Sequence, residues 1–312
     1  MTTFPDMLRQ YGGAPVSNQY HGMWGGKVYF VDYANGNDSN GGLSPGKAKK
    51  NLGILLSALA TGDVVYVRPH TTAPAHHGDT QYLDNQNGVI PATAVGVSII
   101  GTGQGRYMAK RDISLRGASG DTTSVISTSA AHTNIENLGF HARDEAVDAG
   151  IIRGNSLTSV GLNVSNCAFL GTGAFKPGIK VESSNYSTIE NCIFAQCKEG
   201  ISLGSSDMAQ YFDVIRGCIF LGLAATRNED IQMGDVYELV IDSCVFTGDI
   251  PSGGAQNQYI YSNGAASTGS VINSYFGTAN RAFDECTTGL GSFAWAHNYC
   301  MDDAAHMNAS TA

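Results

Sequence analysis

The sequence predicts an all-β chain wound as a right-handed, single-stranded parallel β-helix (solenoid), with a short N-terminal arm and an N-terminal capping helix. Three observations predict it. A short motif recurs through the second half: "IENLGF" (Ile135 to Phe140), "VSNCAF" (Val164 to Phe169), "IENCIF" (Ile189 to Phe194), "IRGCIF" (Ile215 to Phe220), "IDSCVF" (Ile241 to Phe246), "VINSYF" (Val271 to Phe276) and "WAHNYC" (Trp295 to Cys300), at intervals of 24 to 30 residues. A second apolar run, "GIIRG", "GIKV", "GISL", "DIQM" or "YIYS", lies between successive copies. Finally, only 14% of the residues are charged, while 39 of the 312 are glycine. An ordinary domain carries about 25% charge, so this composition favours short strands and many turns over long charged helices.

A repeat of this size made of short strands buries its apolar side only by stacking on its neighbours. Parallel stacking sets the rungs roughly 4.8 Å apart. Leucine-rich repeats have a similar period, but their leucine consensus is missing here. In this reading Ile135, Val164, Ile189, Ile215, Ile241, Val271 and Trp295 form one internal stack, and Phe140, Phe169, Phe194, Phe220, Phe246 and Phe276 another. Asn137, Asn166, Asn191 and Asn273 stand at a turn, because Asn tolerates left-handed φ. Gly217 and Ser243 suit the same place. The fifth position, Ala168, Ile193, Ile219, Val245 and Tyr275, points outward yet is apolar, which predicts a strip buried against another subunit.

The chain then divides, in order, into an arm (1–27), a capping region (28–70) and the β-helix with a short polar tail (71–312). The arm is rich in Gly, Tyr and Asn, holds a short helix around Pro5 to Gln10, and is expected to dock on a partner through Phe4, Leu8 and Tyr11. The capping region reads as a strand (Val28 to Asp32), a Gly/Asn/Asp loop, a helix from about Lys49 to Ala60 with Leu52, Leu55, Leu56 and Leu59 on one face, and a strand (Val64 to Arg68). Gly62 stops that helix. A loop with His70, His76 and His77 follows, then a buried strand within Gly96 to Arg106 and irregular coil from Asp112 to Thr133.

Four cysteines, Cys167, Cys192, Cys218 and Cys244, share one slot in consecutive repeats. Stacking would bring them within disulfide reach, but buried Cys is also a small hydrophobe. Seven cysteines without a CxxC pair or a secretion signal favour free thiols as filler. Cys197, Cys286 and Cys300 fall outside this slot.

The stretches "FPDMLRQYGGAPV", "YFVDYANGNDSNGGLSPGKAKKNLGILLSAL", "GDVVYVRP", "GVSIIGTGQGR" and "NIENLGF" resemble the N-terminal half of pectin-lyase-like β-helix proteins of tailed-bacteriophage virions. By motif the resemblance covers roughly residues 4 to 140; beyond that it rests on the rung pattern. It implies a virion location and a homotrimer, and leaves open head decoration, head fibre, tail fibre or enzymatic tailspike, since one fold serves many functions.

For chemistry, polysaccharide-cleaving enzymes need paired acids to protonate the glycosidic oxygen and activate water. Asp144, Glu145 and Asp148, with His141 and Arg153 near them, form the densest acidic cluster, and Asp213, Asp235 and Asp242 add acids on later rungs. No acid pair recurs at the rung spacing, so these read as solubilising residues. Asp32, Asn35, Asn37 and Asp38 offer oxygen ligands of the kind calcium takes, without the EF-hand glutamate; turn chemistry explains them, and no metal or cofactor is expected. The three histidines read as a surface loop. "GTGQGR" fails the dinucleotide pattern because it opens no helix. Net charge is −9 and lysine and arginine do not cluster, which argues against a nucleic-acid groove. No apolar run is long enough to span a membrane.

The expected function is therefore a non-enzymatic phage structural protein: a trimeric capsid-decorating (cement) or head-fibre subunit that binds the major capsid protein or other virion subunits. It would be made in the host cytoplasm and located on the capsid surface. The alternative is a tailspike or fibre that binds or cleaves host polysaccharide, with Asp144, Glu145 and Asp148 as acid and base. A passive carbohydrate-binding fibre would expose Tyr259, Tyr261 and Tyr275 in a stripe.

Overall fold

The computed structural model describes residues 25–68, 86–102, 114–116, 124–141, 152–154, 160–170, 177–182, 184–195, 197, 199–204, 209–221, 229–247, 259–264, 267–277, 287–288 and 292–300. They wind as a right-handed parallel β-helix of three long parallel sheets, one of ten strands and two of eight. Sheet 1 runs from Val28–Asp32 and Val64–Arg68, through Ser98–Gly101 and Thr188–Glu190, to Phe293–Ala296. Sheet 2 holds the second half of each recurring motif, as in Ile193–Ala195, and sheet 3 the intervening apolar runs, as in Ile201–Leu203. Two strands of the capping region thus hydrogen-bond into the same sheet as the later rungs. Ser114–Arg116 and Ile126–Thr128 are strands of sheets 2 and 3, within the stretch expected to be coil. Three-residue strands between turns leave too little periodicity to be read from sequence.

The register stacks like on like. Ile135, Val164, Ile189, Ile215, Ile241 and Val271 pair rung to rung and are fully buried. Trp295 continues the column but is only partly buried. The phenylalanines Phe140, Phe169, Phe194, Phe220, Phe246 and Phe276 stack with centroids 4.7–5.1 Å apart. Two of these rings occupy a gap in the opposite wall: a Cβ on Gly178 would sit 2.7 Å from the Phe194 ring, and one on Gly200 2.7 Å from Phe220. Glycine therefore precedes the apolar runs "IKV" and "ISL" for steric reasons.

The turn from sheet 1 to sheet 2 is a single left-handed residue: Asn137, Asn166, Asn191, Ser243, Asn273 and His297 have φ of 52–57°, and Gly217 has 59°. The next residue points inward, giving a column of Cys167, Cys192, Cys218 and Cys244 with free, buried thiols. These thiols donate to carbonyls, as Cys192 Sγ does to Glu190 O at 3.3 Å. Burial, reinforced by the flanking Cys192 and Cys244, pushes the Cys218 thiol well up, so it stays protonated. Asn191→Ala should cost about 1 kcal/mol for placing a Cβ-bearing residue without local amide bonding at left-handed φ. Asn191→Gly should leave the melting temperature near the wild-type value; thermal unfolding of the two variants checks this.

The capping helix is shorter than the leucine pattern suggests, covering Leu52–Leu56. Lys49 cannot join it because its backbone bridges to Val31. Gln86 Oε1 accepts the Leu52 N–H and Asp38 Oδ1 accepts the Lys50 and Asn51 N–H groups, satisfying donors ahead of the first turn. Leu52, Leu55 and Leu56 are buried, with Leu59 beyond the helix on the same core.

Candidate functional site

The walls of the helix differ in chemistry. Sheet 1 presents a mixed outer face, in which Val214, Val240 and Ile272 stand among polar and charged side chains: Asn163 Nδ2 donates to Asn134 Oδ1 at 2.9 Å, and Arg216 bridges Glu190 (3.5 Å) and Asp242 (3.2 Å). These ion pairs are exposed and so contribute little to stability. Sheet 2 differs. Its outward columns, aligned by register, read Ala168, Ile193, Ile219, Val245, Tyr275, Tyr299 and Leu170, Ala195, Leu221, Thr247, Gly277. From Ala168 to Tyr299 no charged residue interrupts them; toward the first rungs the second column continues through His141 to Arg116. Ile193, Ile219 and Val245 are half-buried, and Tyr275 is exposed.

On sheet 3 the outward middle residues include Val89, Ser127, Lys180, Ser202, Gln232 and Tyr261. None is a carboxylate. Asp144, Glu145 and Asp148 lie outside the described residues, as do Phe4, Leu8, Tyr11, His70, His76 and His77. The other acids do not converge. Asp213 points into the core, whereas Asp242 sits on the outer face, where the Asn273 amide, then Ser243 and Arg216, hold its carboxyl below the usual range. Asp235 is half-buried in the turn before Val236.

The carboxylate oxygens of Asp32 and Asp38 are engaged by donors of the loop and of the neighbouring elements. Asp32 accepts from the Ala34 and Asn35 N–H groups and from Arg68 Nη1 at 2.7 Å, while Asp38 accepts from Asn51. Burial opposes ionisation of Asp32, but the Asn35 backbone donor and the Arg68 guanidinium outweigh it and lower its pKa. This is turn chemistry. Among the described residues no three His, Cys, Asp or Glu side chains group as a metal site.

The expected tyrosine stripe does not form. Tyr259 is fully buried against Phe246 and Phe276, Tyr261 lies on sheet 3, and Tyr275 on sheet 2. A different aromatic group is exposed at the turn from sheet 3 back to sheet 1. There one left-handed position repeats on successive rungs: Gly62, Gly96, His132, Gly161, Tyr186, Phe212 and Glu238, with φ of 56–75°. The rings of Tyr186 and Phe212 stack at 5.2 Å, and those of Tyr211 and Tyr237 at 5.1 Å. Tyr211 and Phe212, 6.4 Å apart, join the two pairs into a ledge. Tyr186, Tyr211 and Phe212 are 55%, 41% and 43% exposed. A bulky residue at left-handed φ costs on the order of 1 kcal/mol that glycine would not. The sequence carries a signal: Tyr186 with Phe212, and Tyr211 with Tyr237, recur at the rung interval, just ahead of the recurring six-residue motif.

The architecture is similar to that of solved structures. A rhamnogalacturonan lyase superposes with a TM-score of 0.58 and 15% identity, over 88% of this chain and 74% of that one. The pectin methylesterase of Aspergillus niger gives 0.53 and 11%, over 91% and 89%. The fold is the pectin-lyase-like parallel β-helix. No family model matches the sequence, and no curated protein matches it.

Proposed function

We propose that this chain is a non-enzymatic structural protein of a bacteriophage particle, a homotrimer that binds the major capsid protein as a cement or head-fibre subunit. The outer face of sheet 2 from Ala168 to Tyr299, which is mostly apolar and carries no charge, supports the proposal, because a wall two columns wide and several rungs long favours burial against a second copy. The similarity of residues 4 to 140 to phage virion chains supports the setting. The arm, with Phe4, Leu8 and Tyr11, supplies a further contact to the shell.

The double variant Ile193→Lys, Ile219→Lys should convert the oligomer to monomer while keeping the β-sheet circular-dichroism spectrum and melting behaviour. Light scattering coupled to gel filtration reads the mass; an oligomer of unchanged mass would refute the interface. Electron microscopy of particles then tests location, with density at three-fold or quasi-three-fold axes expected, and density at the tail alone counting against the head assignment.

The fold shared with two enzymes named for pectic substrates favours a second reading, a tailspike or fibre that binds or cleaves host polysaccharide. Its test is release of reducing sugar from host polysaccharide that disappears in the Asp144→Asn, Asp148→Asn variant.

A further inference from the structure

The aromatic ledge lies apart from the proposed assembly face on sheet 2. Its four rings stand outside the apolar core, on the turn from sheet 3 to sheet 1, away from the uncharged wall of sheet 2. Two of them, Tyr186 and Phe212, occupy a strained backbone position that Gly62, Gly96 and Gly161 fill on other rungs without strain. His132 and Glu238 share the position, so the turn accepts several residue types, and Tyr186 and Phe212 are the two that bring aromatic rings to it. The rings are held in near-parallel pairs with interplanar angles of 7° and 15°, so they present a preformed surface and lose little rotamer freedom on contact.

We infer that this ledge is a binding site for a neutral oligosaccharide. A pyranose ring has an apolar C–H face and a rim of hydroxyls, and the ledge offers complements to both. The exposed surfaces of Tyr186, Tyr211 and Phe212 accept the C–H face, as aromatic rings do in mostly apolar ligand sites with a few polar groups. Around them stand polar partners for the rim. The Asn185 amide is oriented by accepting the Tyr211 N–H at 3.1 Å; the Glu238 carboxylate is exposed one rung beyond Phe212; and the tyrosines add phenolic hydroxyls. Tyr186 has Gly161 beneath it in the column, so no side chain from that position covers its ring.

Charge selects among stacking ligands. Nucleobases also stack on exposed aromatics, but the chain carries a net charge of −9 and Glu238 borders the ledge, which disfavours phosphates and uronates alike. The two ring pairs are joined side by side, so the site spans more than one sugar. This inference holds whether the protein stands on a head or a tail.

The experiment is titration of the full chain with neutral hexasaccharides of β-1,4-linked glucose, α-1,4-linked glucose and N-acetylglucosamine, alongside an oligogalacturonate and a single-stranded oligonucleotide, read by calorimetry and tyrosine fluorescence. At least one neutral hexasaccharide should bind and quench the fluorescence. Tyr186→Gly and Phe212→Gly should each weaken that binding by about tenfold or more. Because glycine relieves the strained φ, the melting temperature should hold or rise in both variants. A fall of several degrees would instead make the ring stacks structural and overturn the inference. So would undiminished binding in the variants, no neutral hexasaccharide bound at millimolar concentration, or a preference for the acidic glycan or the oligonucleotide.

Discussion

Phe220→Ala should destabilise the protein by about 3–5 kcal/mol, the usual cost of truncating a buried phenylalanine. The ring is fully buried and stacked on both sides, 5.0 Å from Phe194 and 4.9 Å from Phe246. Gly200 leaves it room from the opposite wall, where an added Cβ would come within 2.7 Å of the ring. Truncation therefore removes two stacking contacts and leaves a cavity that neighbouring rungs cannot close, since each rung is pinned by its own hydrogen bonds. In a solenoid, stability is approximately a sum of repeats and nearest-neighbour interfaces. The damage should thus fall on the rungs either side of Phe220, and denaturant unfolding should broaden or split into two transitions. A single transition at the wild-type midpoint would mean that the aromatic column contributes little. Phe220→Leu, which refills much of the volume, should recover a good part of the loss.

That column was readable in the sequence because the aromatic returns at one position of a repeat, and a parallel register preserves the position. Asn191 and its relatives were readable for a related reason: left-handed turns select Asn and Gly. The apolar strip through Ile193 and Ile219 followed from alternation alone, since Cys192 and Phe194 must point inward. Other features lack such a signal. The start of the capping helix depends on a backbone bridge between Lys49 and Val31, a contact that no local pattern encodes. Tyr259 looked like an outward aromatic, yet it fills the space beside Phe246 and Phe276 just before a sheet 3 strand begins. The ledge of Tyr186, Tyr211, Phe212 and Tyr237 lies outside the recurring six-residue motif, although the rung interval holds there as it does in the strands.

Asp213 is one of several acids on the later rungs, and its buried, inward placement makes it a source of pH dependence. It follows Leu162 and Ser187 in a column that continues with Leu239, as the rung register dictates. One carboxylate oxygen accepts the Ser187 N–H at 2.7 Å, and the other, Oδ2, is buried without a hydrogen-bond partner. Burial raises its pKa from 3.8 to about 7, against the lowering effect of the Ser187 donors. The sign follows from linkage. Between these two values the folded state holds a proton that the unfolded state has released, so stability falls as pH rises through this window and levels off above it. The loss approaches about 4 kcal/mol for a shift of this size at about 1.4 kcal/mol per unit. Asp213→Asn keeps the acceptor for Ser187 and removes the titration. Near pH 4 the variant and the wild type should be about equally stable; by pH 8 the variant should be the more stable one, by an amount of that order. Urea unfolding of both proteins across the range isolates the effect, because every other titrating group cancels in the difference. A difference that stays flat with pH would place the Asp213 pKa near its ordinary value, and would mean that water reaches the carboxylate.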